Sequence, residues 1–209
     1  ARSSFSDPIS GQVLIPVGGA LENQALAPLT NSTEMAHDQR SLAQVFAKLA
    51  AVRPLALASD LPPDLAAGLA GIDSYGELFQ AAFGDASISA PRIAFALATY
   101  QRTLVPNQTP FDAFIAGQPA ALTPSQAQGL QAFNATTCGV CHAGPLFTNH
   151  SFRNVGLRPW QEDSGRFAVT GLFGDRGRFK VPTLRNVGLK PRFMHTGQLA
   201  TLEQVIGFY

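Results

Sequence analysis

The chain has 209 residues, enough for one large or two small domains, a net charge of +1 and only 14% charged residues. That balance gives no case for nucleic-acid binding, which needs a basic face, and no apolar run reaches the length of a membrane span. "ARSSFSDPIS" lacks the apolar stretch of a secretory leader, and the chain opens on Ala instead of Met, as a processed protein or a fragment would.

Residues 1 to about 30 are rich in Gly, Pro and Ser and predict mostly loop. Leu42, Val45, Phe46 and Leu49 recur at i, i+3, i+4 and i+7, which predicts a helix over 41–51. "SDLPPDLAAGLAGI" predicts a short capped helix, and residues 75–83 another. Ser89-Ala90-Pro91 opens a strong helix whose expected apolar stripe is Ile93, Leu97, Tyr100 and Leu104. Pro106 and Pro110 break it, so a boundary between two lobes is expected at residues 105–110.

Thr123-Pro124-Ser125-Gln126 is a capping box with Pro at the first helical position. The helix it starts carries Ala127, Leu130 and Phe133 at roughly helical spacing, and Gly129 leaves room for a second helix to approach. Residues 143–195 hold many Gly, Phe, Arg and Asn with little periodicity, the pattern of a long segment that wraps something. Thr201-Leu202-Glu203-Gln204 is a second capping box, opening a last helix with Leu202, Val205, Ile206 and Tyr209 on one face. No repeats or low-complexity tracts occur. The expected fold is mainly helical, with at most a short hairpin.

Both cysteines lie in one motif, Cys138-Gly-Val-Cys141-His142. Structural zinc needs further Cys or His ligands at regular spacing, and there is no second Cys pair. A thioredoxin-like pair follows a strand in a βαβ unit, which the flanks do not show. Covalent c-type haem attachment is the reading favoured: two thiols add to the haem vinyl groups, and His142 is the proximal iron ligand. Attachment of this kind takes place outside the bacterial cytoplasm, so a periplasmic location is expected.

"IAFALATYQRTLV", "PFDAFIAG", "ALTPSQAQGLQAF", "CGVCH", "FTNHSFRNVGL", "EDSGR", "GRFKVPTLRNVGLKPRFMHTG" and "TLEQVIGFY" follow one another in this chain. In that order they resemble the bacterial dihaem cytochrome c peroxidases and the related MauG enzymes, over nearly the whole chain. The resemblance implies an all-α fold: a cytochrome c-like helical haem domain with long loops over 109–209, preceded by a partial helical lobe over 1–108. It implies two haems, of which this chain carries the second attachment motif, with the first expected upstream of Ala1. On that view the chain is the C-terminal portion of a dihaem oxidoreductase that reduces hydrogen peroxide or uses it to oxidise a partner. Its electrons would come from a small cytochrome c or a cupredoxin, and a homodimer or a second chain bearing the first haem would complete it. The alternative is a monohaem electron-transfer cytochrome without catalysis.

The resemblance also implies site roles. "ALENQALAPLTNSTEM" is similar to the family's peroxide pocket, with Gln24, Pro28 and Glu34 at matching positions. Glu34 would be the acid–base group that moves a proton between the peroxide oxygens. Tyr209 lies where the peroxidases have an axial Met and MauG-like enzymes an axial Tyr. Met194 is the rival ligand, with core packing as its ordinary role. His195 would lie near the haem or be a satisfied structural histidine. Arg178, Lys180 and Arg185 could pair with haem propionates, Arg185 being favoured. His37 and His150 receive no role. The family's inter-haem Trp has no counterpart before Trp160, and a Trp relay just ahead of the haem motif is not supported. Calcium would need an upstream Asn and backbone carbonyls at Lys190 and Arg192, where Lys190 departs from the usual Thr.

Overall fold

The computed structural model describes residues 3–209, and the chain divides into two compact units between Val105 and Pro106. Helices dominate both, and each unit adds one small antiparallel strand pair.

In the first unit, β1 (Phe5–Ser6) pairs with β2 (Val13–Ile15), and α1 (Ala20–Leu26) follows at once. The predicted loop over residues 1 to about 30 therefore contains a hairpin and a helix. The flanking Pro16, Gly18, Gly19 and Pro28 masked a run of good helix formers, "ALENQAL". Gly19 is forced by packing: a Cβ there would lie 2.5 Å from the Phe5 Cβ and 2.7 Å from its backbone nitrogen. Phe5 is buried, with its ring edge-on to Phe95 at 5.7 Å.

The helices α2 (Leu42–Ala51) and α4 (Tyr75–Phe83) open on complete capping boxes, Ser41 with Gln44 and Ser74 with Glu77. Gly84, in the left-handed region at φ 87°, ends α4. Between them α3 (Pro63–Gly68) is shorter than expected and has no side-chain cap, because Pro62 occupies its N-cap position.

The long helix α5 (Ala90–Thr103) packs against α1, and its buried residues are Ala90, Ile93, Ala94 and Ala98. This corrects the expected stripe. Leu97, Tyr100 and Leu104 are exposed, since the close approach to α1 selects small side chains over large ones. Phe5, Leu26, Val45, Phe79, Ala90, Ile93 and Ala94 form the core of this unit. Beside it Glu22 of α1 is only 2% exposed and pairs with Arg102 of α5 at 2.6 Å.

The second unit starts with α6 (Pro110–Ile115), capped by Thr109 with Asp112, and α7 (Pro124–Ala135), capped by Thr123 with Gln126 as expected. A single turn, α8 (Cys138–Cys141), carries the cysteines. The next sixty or so residues are mostly irregular. They contain β3 (Phe152–Arg153) paired with β4 (Phe179–Lys180), and one short helix, α9 (Phe167–Thr170). Side-chain-to-backbone bonds replace ladders here, as in the buried Thr148 hydroxyl donating to the Val181 carbonyl at 2.7 Å. The last helix, α10 (Leu202–Phe208), opens on the Thr201–Gln204 box. Of the apolar side chains in this unit only Val181 and Phe193 are buried, and Val140, Leu172, Phe173, Leu189 and Ile206 are exposed.

Candidate haem site

The helix α7 ends where the Thr136 hydroxyl turns back to donate to the Phe133 carbonyl at 2.9 Å. The chain then folds over its own last turn. Gly139 permits this: a Cβ there would stand 3.1 Å from the Asn134 Cα and carbonyl oxygen and 3.3 Å from the Phe133 oxygen. The sequence reading missed Gly139, although a glycine between the two cysteines was a visible signal.

Cys138 and Cys141 are three apart on one helical turn, so their side chains share a face. Both thiols are free and half-buried. The His142 amide donates to the Cys138 carbonyl at 2.9 Å and continues the turn. The His142 Nδ1 lies 2.9 Å from the Phe147 carbonyl oxygen. A carbonyl only accepts, so Nδ1 carries the proton and the Nε2 lone pair is left for a metal. Asn149 closes the far end of the turn, its amide donating to the Cys141 carbonyl at 2.9 Å and its side chain to the Val140 carbonyl at 3.1 Å.

The donor set fits haem c. Two thiols on one face would form thioethers, a correctly tautomeric imidazole follows directly, and a unit poor in buried apolar side chains surrounds them. Among the described residues no three His, Cys, Asp or Glu side chains gather as ligands for a metal ion.

Tyr209 follows α10 with its ring edge-on to Phe208. Its side chain is 64% exposed, so the inward-facing stripe expected for the last helix is not covered by protein. Partial burial of the hydroxyl, and then the neighbouring Cys141 and Cys138, push the phenol pKa up. The phenol thus lies within electrostatic reach of Cys141 and Cys138. Met194 is half-buried in a left-handed turn at φ 66°, its carbonyl accepting from the Gly197 amide at 3.2 Å.

The His195 ring stacks on Phe179 at 3.6 Å between centroids, and its Nε2 lies 3.0 Å from an Asp163 carboxylate oxygen. Asp163 is held below the usual carboxylate range, first by the Gly165 amide and then by His195. Protein groups thus occupy one ring nitrogen and one ring face of His195. Arg185 is 6% exposed and spends four of its N–H groups: on the Pro145 carbonyl at 2.8 Å, on Asp112 at 3.0 and 2.6 Å, and on the Pro106 carbonyl. At most one remains for a propionate. Its partner Asp112, overlooked in the sequence, is pushed well below the usual carboxylate range by that guanidinium and then by Thr109. Lys180 donates to the Val181 carbonyl, and Lys190 and Arg192 are exposed.

In the first unit Gln24 is exposed on α1, Pro28 is half-buried and Glu34 is exposed beside Asn31. The buried carboxylate of this stretch is Glu22, which sequence reading passed over because a Glu two residues before Gln24 looks like an ordinary helix-surface residue.

The sequence profile of the di-haem cytochrome c peroxidases matches residues 11–120. The chain belongs to that family. The matched segment of this di-haem peroxidase relative includes Gln24, Pro28 and Glu34 and stops short of the haem motif. The full chain is 34% identical over 192 residues to the methylamine utilization protein MauG of Methylophilus methylotrophus, covering 90% of this chain and 50% of that protein. It is 33% identical over 190 residues to the cytochrome c551 peroxidase of Nitrosomonas europaea, covering 89% and 50%. The diheme peroxidase BthA from Burkholderia thailandensis has the same fold, with a TM-score of 0.58 at 23% identity, over 98% of this chain and 50% of that one. The chain thus spans about half the length of these relatives. Family membership implies haem c, and the cytochrome c-like helical fold agrees with it. No helix among the described residues is long and apolar enough to cross a membrane.

Proposed function

We propose that this chain forms the second haem-bearing part of a periplasmic di-haem peroxidase-type oxidoreductase. In this reading the chain, with haem bound, would pass electrons from a small cytochrome c or cupredoxin toward hydrogen peroxide, or pass oxidising equivalents to a partner. The observation that carries the reading is the His142 imidazole, its Nδ1 held by the Phe147 carbonyl, beside two free thiols on one turn. Family membership supports the peroxide side of the reading.

The haem, when bound, supplies a one-electron redox centre. The chain's own residues do the rest. Cys138 and Cys141 would hold it covalently, and His142 would bind its iron through Nε2, with Nδ1 held by the Phe147 carbonyl. Tyr209 is proposed as a second residue that would bind the iron, on its place in the family resemblance and with Cys141 and Cys138 near enough to influence its hydroxyl. A phenolate oxygen there favours the ferric state, whereas the Met194 thioether would favour the ferrous one. Gln24 and Glu34 are proposed to orient peroxide and hold the proton it exchanges, and their place within the matched segment supports them. Calcium bound by carbonyls at Lys190 and Arg192 is part of the same proposal.

The test joins mass spectrometry of the natural protein to spectroscopy and turnover. The expected results are haem on the peptide containing Cys138 and Cys141, and hydrogen peroxide reduction that falls at least tenfold in Glu34→Gln. A tyrosinate signature lost in Tyr209→Phe supports Tyr209, and a thioether–iron charge-transfer band assigns Met194 instead. Haem without peroxide turnover would leave an electron-transfer cytochrome.

A further inference from the structure

The loop that follows His142 is held more firmly than its irregular backbone suggests. Three successive carbonyls each accept a bond from a side chain: Pro145 from Arg185 Nε at 2.8 Å, Leu146 from the Thr183 hydroxyl at 2.6 Å, and Phe147 from His142 Nδ1 at 2.9 Å. Phe147 is in the left-handed region at φ 50°, a conformation that costs a residue with a side chain free energy and persists where its surroundings impose it. Its ring packs against Phe111 at 4.6 Å and Phe133 at 6.1 Å.

The donors are themselves fixed. The Thr183 oxygen accepts from the Arg185 amide at 3.1 Å, which leaves its proton directed at the Leu146 carbonyl. The Arg185 guanidinium is gripped by both oxygens of Asp112 and by the Pro106 carbonyl. Asp112 in turn accepts from the Thr109 amide and hydroxyl at 3.0 and 2.6 Å. A continuous set of directional bonds therefore runs from the start of α6 to the imidazole.

We propose that Thr183, Arg185 and Asp112 are positioning residues that aim the Phe147 carbonyl at His142 and thereby tune the reduction potential of the iron that His142 holds. This rests on the reading of His142 as the proximal ligand. An imidazole that donates its Nδ1 proton strongly becomes a more basic ligand through Nε2. A more basic ligand stabilises the ferric state, so a well-aimed carbonyl lowers the potential. Releasing the Leu146 carbonyl lets the left-handed Phe147 relax its backbone angles, which turns the Phe147 carbonyl away, weakens the bond and raises the potential.

The test is a redox titration of the haem-loaded natural protein, following the haem held by His142. Thr183→Val removes the hydroxyl at nearly constant shape and is expected to raise the midpoint potential. Asp112→Asn, which loosens Arg185, raises it less, and Thr183→Ser keeps the native value. An unchanged midpoint in haem-loaded Thr183→Val overturns the proposal. Should that variant fail to load haem, Asp112→Asn decides, and an unchanged midpoint there overturns it equally. Absence of covalent haem at Cys138 and Cys141 in the unsubstituted protein would refute the underlying reading instead.

Discussion

Asp112 shows how one carboxylate acquires several tasks. It caps α6 and holds both terminal nitrogens of Arg185. Its folded pKa lies below the ordinary 3.8, chiefly because the guanidinium bonds favour the charged form. The linkage sign follows: the pair contributes stability above the unfolded value and loses it as the pH falls toward the folded one. The melting-temperature gap between the native protein and Asp112→Asn is therefore expected to be constant from neutral pH to about 4. Below that it closes. A gap that widens on acidification would contradict this assignment. Asp112 was quoted within "PFDAF" yet carried no expected role, because its partner lies 73 residues away. Cys138, Cys141 and His142, by contrast, lie within five residues, and their spacing is the signal from which haem attachment is proposed.

At the scale of elements, local signals translated well. Thr123 and Gln126 exchange both bonds of a capping box, with the Gln126 side chain 2.9 Å from the Thr123 amide. Thr123→Ala is expected to cost about 1 kcal/mol, read by urea denaturation, because it leaves a first-turn amide without its acceptor. A loss within the error of the measurement would show that α7 is held by its packing alone. The failures were of another kind. Side-chain size points to Leu97, Tyr100 and Leu104 as the inner face of α5, but the buried residues are Ala90, Ile93, Ala94 and Ala98. Glu22 and Arg102 also span the contact with α1, joining helices 80 residues apart in sequence. Helical periodicity shows that a face exists, and the neighbouring element decides which face is used. The residue 143–195 stretch was legible only as irregular, since its bonds run from side chains to distant carbonyls and leave no local period.

Across the whole molecule the two units are built on different principles. The first has a continuous core running from Phe5 to Ala94. In the second, hydrophobic stabilisation from buried side chains falls mainly on Val181 and Phe193, where full burial of such a residue contributes roughly 1.5–3 kcal/mol. Its remaining order comes from hydrogen bonds whose net worth is about 1 kcal/mol each. A covalent haem would supply the apolar area this unit needs. Hydrogen exchange should show it: replacing Cys138 and Cys141 with Ala is expected to speed amide exchange throughout residues 106–209 and leave 42–103 protected. Equal loss of protection in both units would mean that they share one cooperative transition.

The sparse interior of the second unit also bears on how the protein is made. On the proposed reading, a lobe with so few buried side chains of its own would leave the half-buried Cys138 and Cys141 accessible until haem is attached. Loading then becomes the step that ends this exposure. On the proposed reading, chains without haem are expected to be cleaved by protease within residues 106–209 more readily than chains that carry it, because few side chains are buried there.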